Sequence, residues 1–300
     1  MLLARLEGRA VASGRRRVSA HHSPEIPDEV RDAVCGLGLA AAGANVIMQL
    51  SRLPVGHGVA LSKVDSGRVD RHPIKRLRTT SSYLAVVLLG TDEDRSAMRR
   101  DVDRVHTHVR SQPSDAVQYN AFDPELQLWV AACLYRGTED VYRLLDPRPS
   151  ERTLDVLYEY GRRFGTTLQV SDELWPPDRA AFEAYWQAGL EQIEVDELTR
   201  PYLLGIADLS FLRPPLGPLG AAVSRTFGPL NRFITTGFLA QPFRDALGLP
   251  WDERRQRAFD ALMRPAAALT RALPRPLRAF PFNAYLWDAR RRVQAGRPIV

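Results

Sequence analysis

The sequence predicts an all-α protein, a single domain of about ten helices, and three observations predict it. Apolar residues recur at helical spacing. Helix start and stop signals bracket those stretches. Strand signals are scarce: Val and Ile rarely alternate with polar residues, and no Asn-Gly hairpin turn occurs. The chain has 300 residues, of which 45% are hydrophobic and 25% charged, enough to bury a large core.

In order, residues 1–25 form a basic arm carrying Arg5, Arg9, Arg15, Arg16 and Arg17. The arm lacks the hydrophobic core of a secretory signal, and a flexible segment is expected. The folded domain spans residues 26–300. Residues 33–50 read as one buried helix, too rich in Gly and Ala, and too polar at Asn45 and Gln49, for a membrane span. Residues 79–89 read as a second helix stopped by Gly90. Thr91-Asp92-Glu93-Asp94 starts a third, with a hydroxyl cap followed by acids that suit the positive helix end. Met98, Val102, Val105 and Val109 fall on one stripe of it. His106 sits on the border of that stripe, and His108 on the opposite, more exposed border.

Asp123-Pro124 opens a fourth helix through Leu126, Trp129, Val130, Cys133 and Leu134. Further helices are expected at 155–164, 178–192, 231–247, 251–273 and 283–294. The proline-rich stretch 213–218 is expected to break the chain.

The net charge is +6, mostly from arginine spread along the chain. Nucleic-acid binding would want a concentrated basic face or a recognisable module, and neither is present. A cationic surface does suit peripheral contact with an anionic membrane. Cys35 and Cys133 lie in apolar helical text, as buried free thiols of a reducing cytoplasm do. No Gly-x-Ser-x-Gly elbow, phosphate loop or zinc spacing occurs. Asp92, Glu93 and Asp94 read as helix-start charges, and Asp196-Glu197 as solvated surface.

What remains is residues 68–136. A basic run (Arg68, Arg71, His72, Lys75, Arg76, Arg78) ends in Thr79-Thr80 and reads as a loop entering a buried helix. Cations there are close to the interior and need anionic partners, a need that haem propionates would meet. Thr79 and Thr80 would cap the helix or donate to bound oxygen. His57 is read in a loop beside glycines, and His72 precedes Pro73. Only His106 and His108 lie on a helix with an apolar stripe.

The order Arg76-x-x-x-Thr80, Gly90-Thr91, His106-x-x-Val109-Arg110 and Tyr119-x-Ala121-x-Asp123-Pro124-x-Leu126-x-Leu128-Trp129-Val130 resembles the rubber oxygenase catalytic domain. That family includes bacterial latex-clearing proteins and the MpaB-like oxygenases. Later text around residues 236–251 resembles its C-terminal portion. The resemblance implies an all-helical fold around a buried haem b, with oxygenase or related oxidoreductase chemistry on a hydrophobic, isoprenoid- or lipid-like substrate and dioxygen. It makes His106 the iron ligand, puts Arg76 and Arg110 beside the cofactor, and gives Arg76, Thr79 and Thr80 the catalytic surroundings. Asp103 or a backbone carbonyl would orient the imidazole.

Two positions depart from the pattern. Thr79 stands where latex-clearing relatives place a distal lysine, and Ala131 where many relatives have histidine. Two other readings stand beside this one: a non-catalytic helical protein that binds an apolar ligand or membrane surface, and a metal hydrolase built from His57, His72 and His106.

Overall fold

The computed structural model describes residues 25–62 and 68–300; most of the basic arm lies outside them. In chain order the α-helices are α1 (Asp28–Ala33), α2 (Ala42–Leu50), α3 (Leu53–Ala60), α4 (Pro73–Leu89), α5 (Asp92–His106), α6 (Pro124–Leu145), α7 (Glu151–Gly161) and α8 (Arg163–Thr166). They continue with α9 (Arg179–Leu190), α10 (Thr199–Ala207), α11 (Arg213–Phe238), α12 (Gln241–Leu247), α13 (Glu253–Ala272), α14 (Arg275–Arg278) and α15 (Phe282–Gln294). Gly36–Ala41 and Ser210–Leu212 form tighter 3-10 turns. No strand occurs among the described residues, only an isolated bridge between Arg110 and Asn120. The all-α expectation holds; short helices such as α1, α3, α8 and α14 raise the number above ten.

α6 is the axis of the packing. Trp129, Ala131, Ala132, Cys133 and Tyr135 are each at most 1% exposed, because residues 126–135 are apolar nearly all round and must be covered on every side. Around it lies an aromatic cluster. Tyr135 meets Phe182 edge-on with centroids 4.8 Å apart, and Trp129 stacks on Trp186 at 5.3 Å. Such offset and edge-to-face pairs add to the area they bury. Cys35 and Cys133 are buried free thiols, as expected. No helix among the described residues is long and apolar enough to cross a membrane.

The helix starts follow the sequence. Thr91 and Asp94 complete a reciprocal capping box on α5. Asp123 accepts from Glu125 N at 2.9 Å and Leu126 N at 3.2 Å at the head of α6. Asp123→Ala should therefore cost about 1 kcal/mol of unfolding free energy, checked by urea denaturation at neutral pH.

Several boundaries differ from expectation. Residues 33–50 are not one helix. The chain is extended at Cys35, and the 3-10 turn that follows passes so close to Phe280 that a Cβ on Gly36 would sit 2.6 Å from its carbonyl oxygen. α4 begins at Pro73, six residues earlier than read, because proline needs no N–H partner in the first turn. Lys75, Arg76 and Arg78 are thus helical rather than in a loop, while Arg68, Arg71 and His72 precede α4. Gly90 ends α4 in extended conformation. A Cβ there would strike the Val86 carbonyl oxygen, so close approach and not a left-handed turn requires glycine. Val109 lies past the end of α5. The 231–247 stretch divides at Leu239–Ala240 into α11 and α12, and the 213–218 break narrows to Gly217, at φ 54°. His57 is helical, in α3.

The C-terminal residues return to the core. Ile299 is 1% exposed. Its N–H donates to Asp101 Oδ2 at 2.5 Å, and its carbonyl accepts from Arg78 Nη1 at 2.9 Å. These bonds pin the last residues between α4 and α5.

Candidate active site

α2, α3, α4, α5 and α6 enclose a cavity of about 270 Å³, walled mostly by Val, Leu, Pro and aromatic side chains. It is near the lower end of small-molecule pockets, which start at roughly 300 Å³. Each helix contributes one stripe. α4 presents Arg76, Thr79, Thr80 and Tyr83; α5 presents Val102, Val105 and His106; α6 presents Leu126, Gln127, Val130 and Leu134. Spacings of three and four residues put these groups on common faces.

Lys75, Arg76 and Arg78 fan out along α4 at about 100° per residue, while Arg68, Arg71 and His72 precede the helix, so the members of the run part company. Arg68 pairs with Asp70 at 2.6 Å. Arg71 is exposed. Arg78 turns toward Ile299 and Asp288. Only Arg76 of this set borders the cavity. By surface area it is half-buried, because its side chain faces that hollow, yet protein surrounds it. Loss of hydration lowers its pKa, and no carboxylate among the described residues lies within ion-pair distance. Thr79 is buried, and its hydroxyl donates to the Arg76 carbonyl at 3.1 Å, so it serves the helix first. Thr80 lines the cavity.

His106 closes α5 and lines the same cavity. Its Nδ1 is buried without a hydrogen-bond partner. Burial, then the Arg76 charge, pulls its pKa down to about 4. The ring is held instead by Phe122, edge-to-face with centroids 6.1 Å apart. Phe122 is placed by a short clamp: Ala121 N donates to Val109 O and Ser111 N to Tyr119 O, each at 2.9 Å, and Phe122 N donates to Asn120 Oδ1 at 3.0 Å.

Asp103 does not orient His106. It accepts from Gln169 Nε2 and lies 3.8 Å from Arg99. Gln169 in turn bonds to Gln127, whose amide donates to the Ala121 carbonyl. This amide chain braces the Tyr119–Phe122 segment against α6.

Since the imidazole stays neutral down to about pH 4 when folded but protonates near 6.5 when unfolded, it stabilises the fold fully above pH 6.5. That contribution is lost as pH falls from 6.5 toward 4. Stability of the native protein should fall more steeply over this window than that of His106→Gln, by up to about 1.4 kcal/mol per pH unit. Urea midpoints measured at pH 7, 6, 5 and 4.5 for both proteins check this; parallel profiles would contradict it.

Of the expected site residues, Arg76, Thr79, Thr80 and His106 converge. Arg110 does not: it is exposed and absent from the cavity wall, because α5 has ended and the chain leaves the wall after Val109 to enter the Arg110–Asn120 bridge. His108 is exposed as expected. Ala131 is buried in the core beside that wall. His57 and His72 do not join His106. His72 precedes α4 on the surface, while His57 Nε2 pairs with Asp196 Oδ2 at 2.6 Å. Asp196 is therefore no idle surface acid. Despite desolvation, bonds from His57 and Thr199 hold its pKa at about 2. Among the described residues no group of three or more His, Cys, Asp or Glu is placed to hold a metal ion, which removes the geometry a metal hydrolase would need.

Tyr83 and Gln127 are wall residues that the motifs did not single out. Tyr83 was detectable as the residue seven after Arg76 on one helix face; its hydroxyl donates to Phe164 O at 2.6 Å. Val300 also lines the cavity, a contact no local pattern encodes.

The family described as "ER-bound oxygenase mpaB/B'/Rubber oxygenase, catalytic domain" matches residues 33–268. The chain belongs to this family. The match takes in Arg76, Thr79, Thr80 and His106, and the resemblance read from the motifs is correct. An uncharacterised protein of Mycobacterium tuberculosis is 47% identical over 257 residues, covering 86% of this chain and 98% of its own length. An uncharacterised protein of Mycobacterium bovis matches to the same extent. No solved structure matches. The rubber oxygenase match ends within α13, whereas α15, which packs along α4 behind the cavity, lies beyond it.

Proposed function

We propose that the protein is a haem b-dependent oxygenase, or a related oxidoreductase, acting on a hydrophobic isoprenoid- or lipid-like substrate with dioxygen. One observation carries the reading. A neutral imidazole without a hydrogen-bond partner and a cation without a carboxylate border the same apolar cavity. An orphaned buried imidazole suits an iron ligand, and an uncompensated buried guanidinium suits an anionic propionate.

Haem bound there would supply the iron at which dioxygen is activated. His106 is the residue to hold it, being deprotonated at neutral pH with no proton to shed first. Arg76 would neutralise a propionate. Thr80 lines the cavity, whereas the Thr79 hydroxyl is already given to the helix backbone. Val46, Val55, Val102, Val105, Leu126 and Val130 exclude water and accept apolar substrate surface. The excess of arginine suits peripheral contact with an anionic membrane from the cytoplasm.

The test is an absorption spectrum and a pyridine haemochrome assay on protein made with ample haem supply. The expected result is a Soret band with about one haem per chain. Colourless protein that co-purifies with lipid would overturn it in favour of a non-catalytic binder of apolar ligands.

A further inference from the structure

The arginines are spread along the chain, but the net charge is not. Residues 275–300 hold six arginines against one acid, Asp288, and so carry +5 of the chain's +6. The same stretch, with the end of α13, exposes large apolar side chains. Leu269, Leu277, Phe280 and Trp287 are each between 61% and 67% exposed, at the corner where α13 passes through α14 into α15. The corner lies beyond the family match.

The corner is held in shape. Arg275 and Arg278 pair with Asp32 of α1 at 3.2 and 3.1 Å, and Asn283 Nδ2 donates to the Pro276 carbonyl at 2.8 Å. Phe280 N donates to the Leu277 carbonyl at 3.3 Å, which keeps those two residues adjacent. On α15, Trp287 and Arg291 share an exposed face one turn apart, with the guanidinium 5.3 Å from the ring centroid. Arg290 and Arg292 pair with Asp94 and Asp288, whereas Arg291 and Arg297 have no carboxylate within ion-pair distance among the described residues.

Exposed Leu, Phe and Trp side chains beside uncompensated arginines match the boundary of an anionic bilayer. There the apolar groups leave water, the indole sits at headgroup depth and the guanidinium meets lipid phosphate. A second copy of this chain would bring an equal positive charge to the contact, whereas anionic lipid neutralises it. Another exposed apolar stripe, Leu219, Phe227 and Leu230 on α11, lacks this complementarity: at about 100° per residue, Arg225 and Arg232 fall about half a turn away from it.

We propose that the α13–α15 corner is the face that docks on an anionic membrane surface, with Phe280 and Trp287 as its apolar anchors and Arg291 as a phosphate contact. This rests on the peripheral-contact part of the reading above and is independent of haem.

The test is co-sedimentation of purified full-length protein with vesicles of phosphatidylcholine and phosphatidylglycerol in equal parts, and with phosphatidylcholine alone. The parent should partition onto the anionic vesicles and be released by raised salt. Trp287→Ser and Phe280→Ser should each weaken partitioning about tenfold, as buried aromatic surface returns to water, and Arg291→Gln about fivefold. All three side chains are exposed in the free protein, so melting temperatures should not move. Leu219→Ser, on α11, should bind like the parent. The basic arm is present in every variant, so only differences between them are read. Equal losses in Leu219→Ser and Trp287→Ser, or none in the three corner variants, would overturn the docking face and leave membrane contact in place. A parent that ignores both kinds of vesicle would overturn the face and the peripheral contact together, and a Soret band in that protein would leave the haem reading intact. A dimer that Trp287→Ser dissociates, with vesicle binding unchanged, would assign the corner to a second copy instead.

Discussion

Replacing His106 with alanine is expected to lower haem affinity by more than about 100-fold, since loss of even an outer-shell partner of a metal ligand costs roughly 10–100-fold. The apoprotein should survive the change. The imidazole Nδ1 has no hydrogen bond to lose, and the ring's specific contact is the Phe122 edge. The measurement is the Soret absorbance on haem titration, with the melting temperature as fold control. Millimolar imidazole should restore part of the band by entering the vacated space. A variant that binds haem like the parent would move the ligand elsewhere, and Ala131 has no ligating atom to take the role.

Arg76→Met is expected to act in opposite directions on stability and binding. The guanidinium is desolvated without a carboxylate, so replacing it by a neutral chain of similar reach should raise apoprotein stability by on the order of 1 kcal/mol. Removing the cation should at the same time weaken haem binding, about tenfold for one charge-assisted contact. A third consequence is electrostatic. Arg76 is the second cause holding the His106 pKa near 4, so that pKa should rise in Arg76→Met, visible by NMR titration of the imidazole. Lower stability with unchanged haem affinity would show that Arg76 is a packing residue.

Both predictions concern side chains whose importance was legible in the sequence for different reasons. His106 was separated from His108 by helical periodicity, and the structure keeps that separation. Arg76 was one of several cations in a run, and the motif resemblance, not the charge pattern, distinguished it. The physical reason for its distinction appears only in three dimensions. α4 begins early enough to make Arg76 and Arg78 helical and send them to different neighbours, while Arg68 pairs with Asp70 ahead of the helix. Arg110 failed for the complementary reason. α5 ends at His106, four residues before Arg110, so helical spacing no longer dictates direction there.

The sequence by itself determined the all-α class, the capped starts of α5 and α6, the family and the segment that bears the cavity. Those are local properties: periodicity, capping hydroxyls and carboxylates, and ordered motifs. Tertiary structure alone decided what the segment faces. Asp103 was drawn away from His106 by Gln169, sixty-six residues distant, and His57 was paired with Asp196. Val300 was folded into the cavity wall, and α2 set Gln49 in that wall as well. Each depends on which helices meet, and that is fixed by burial of the whole core around α6.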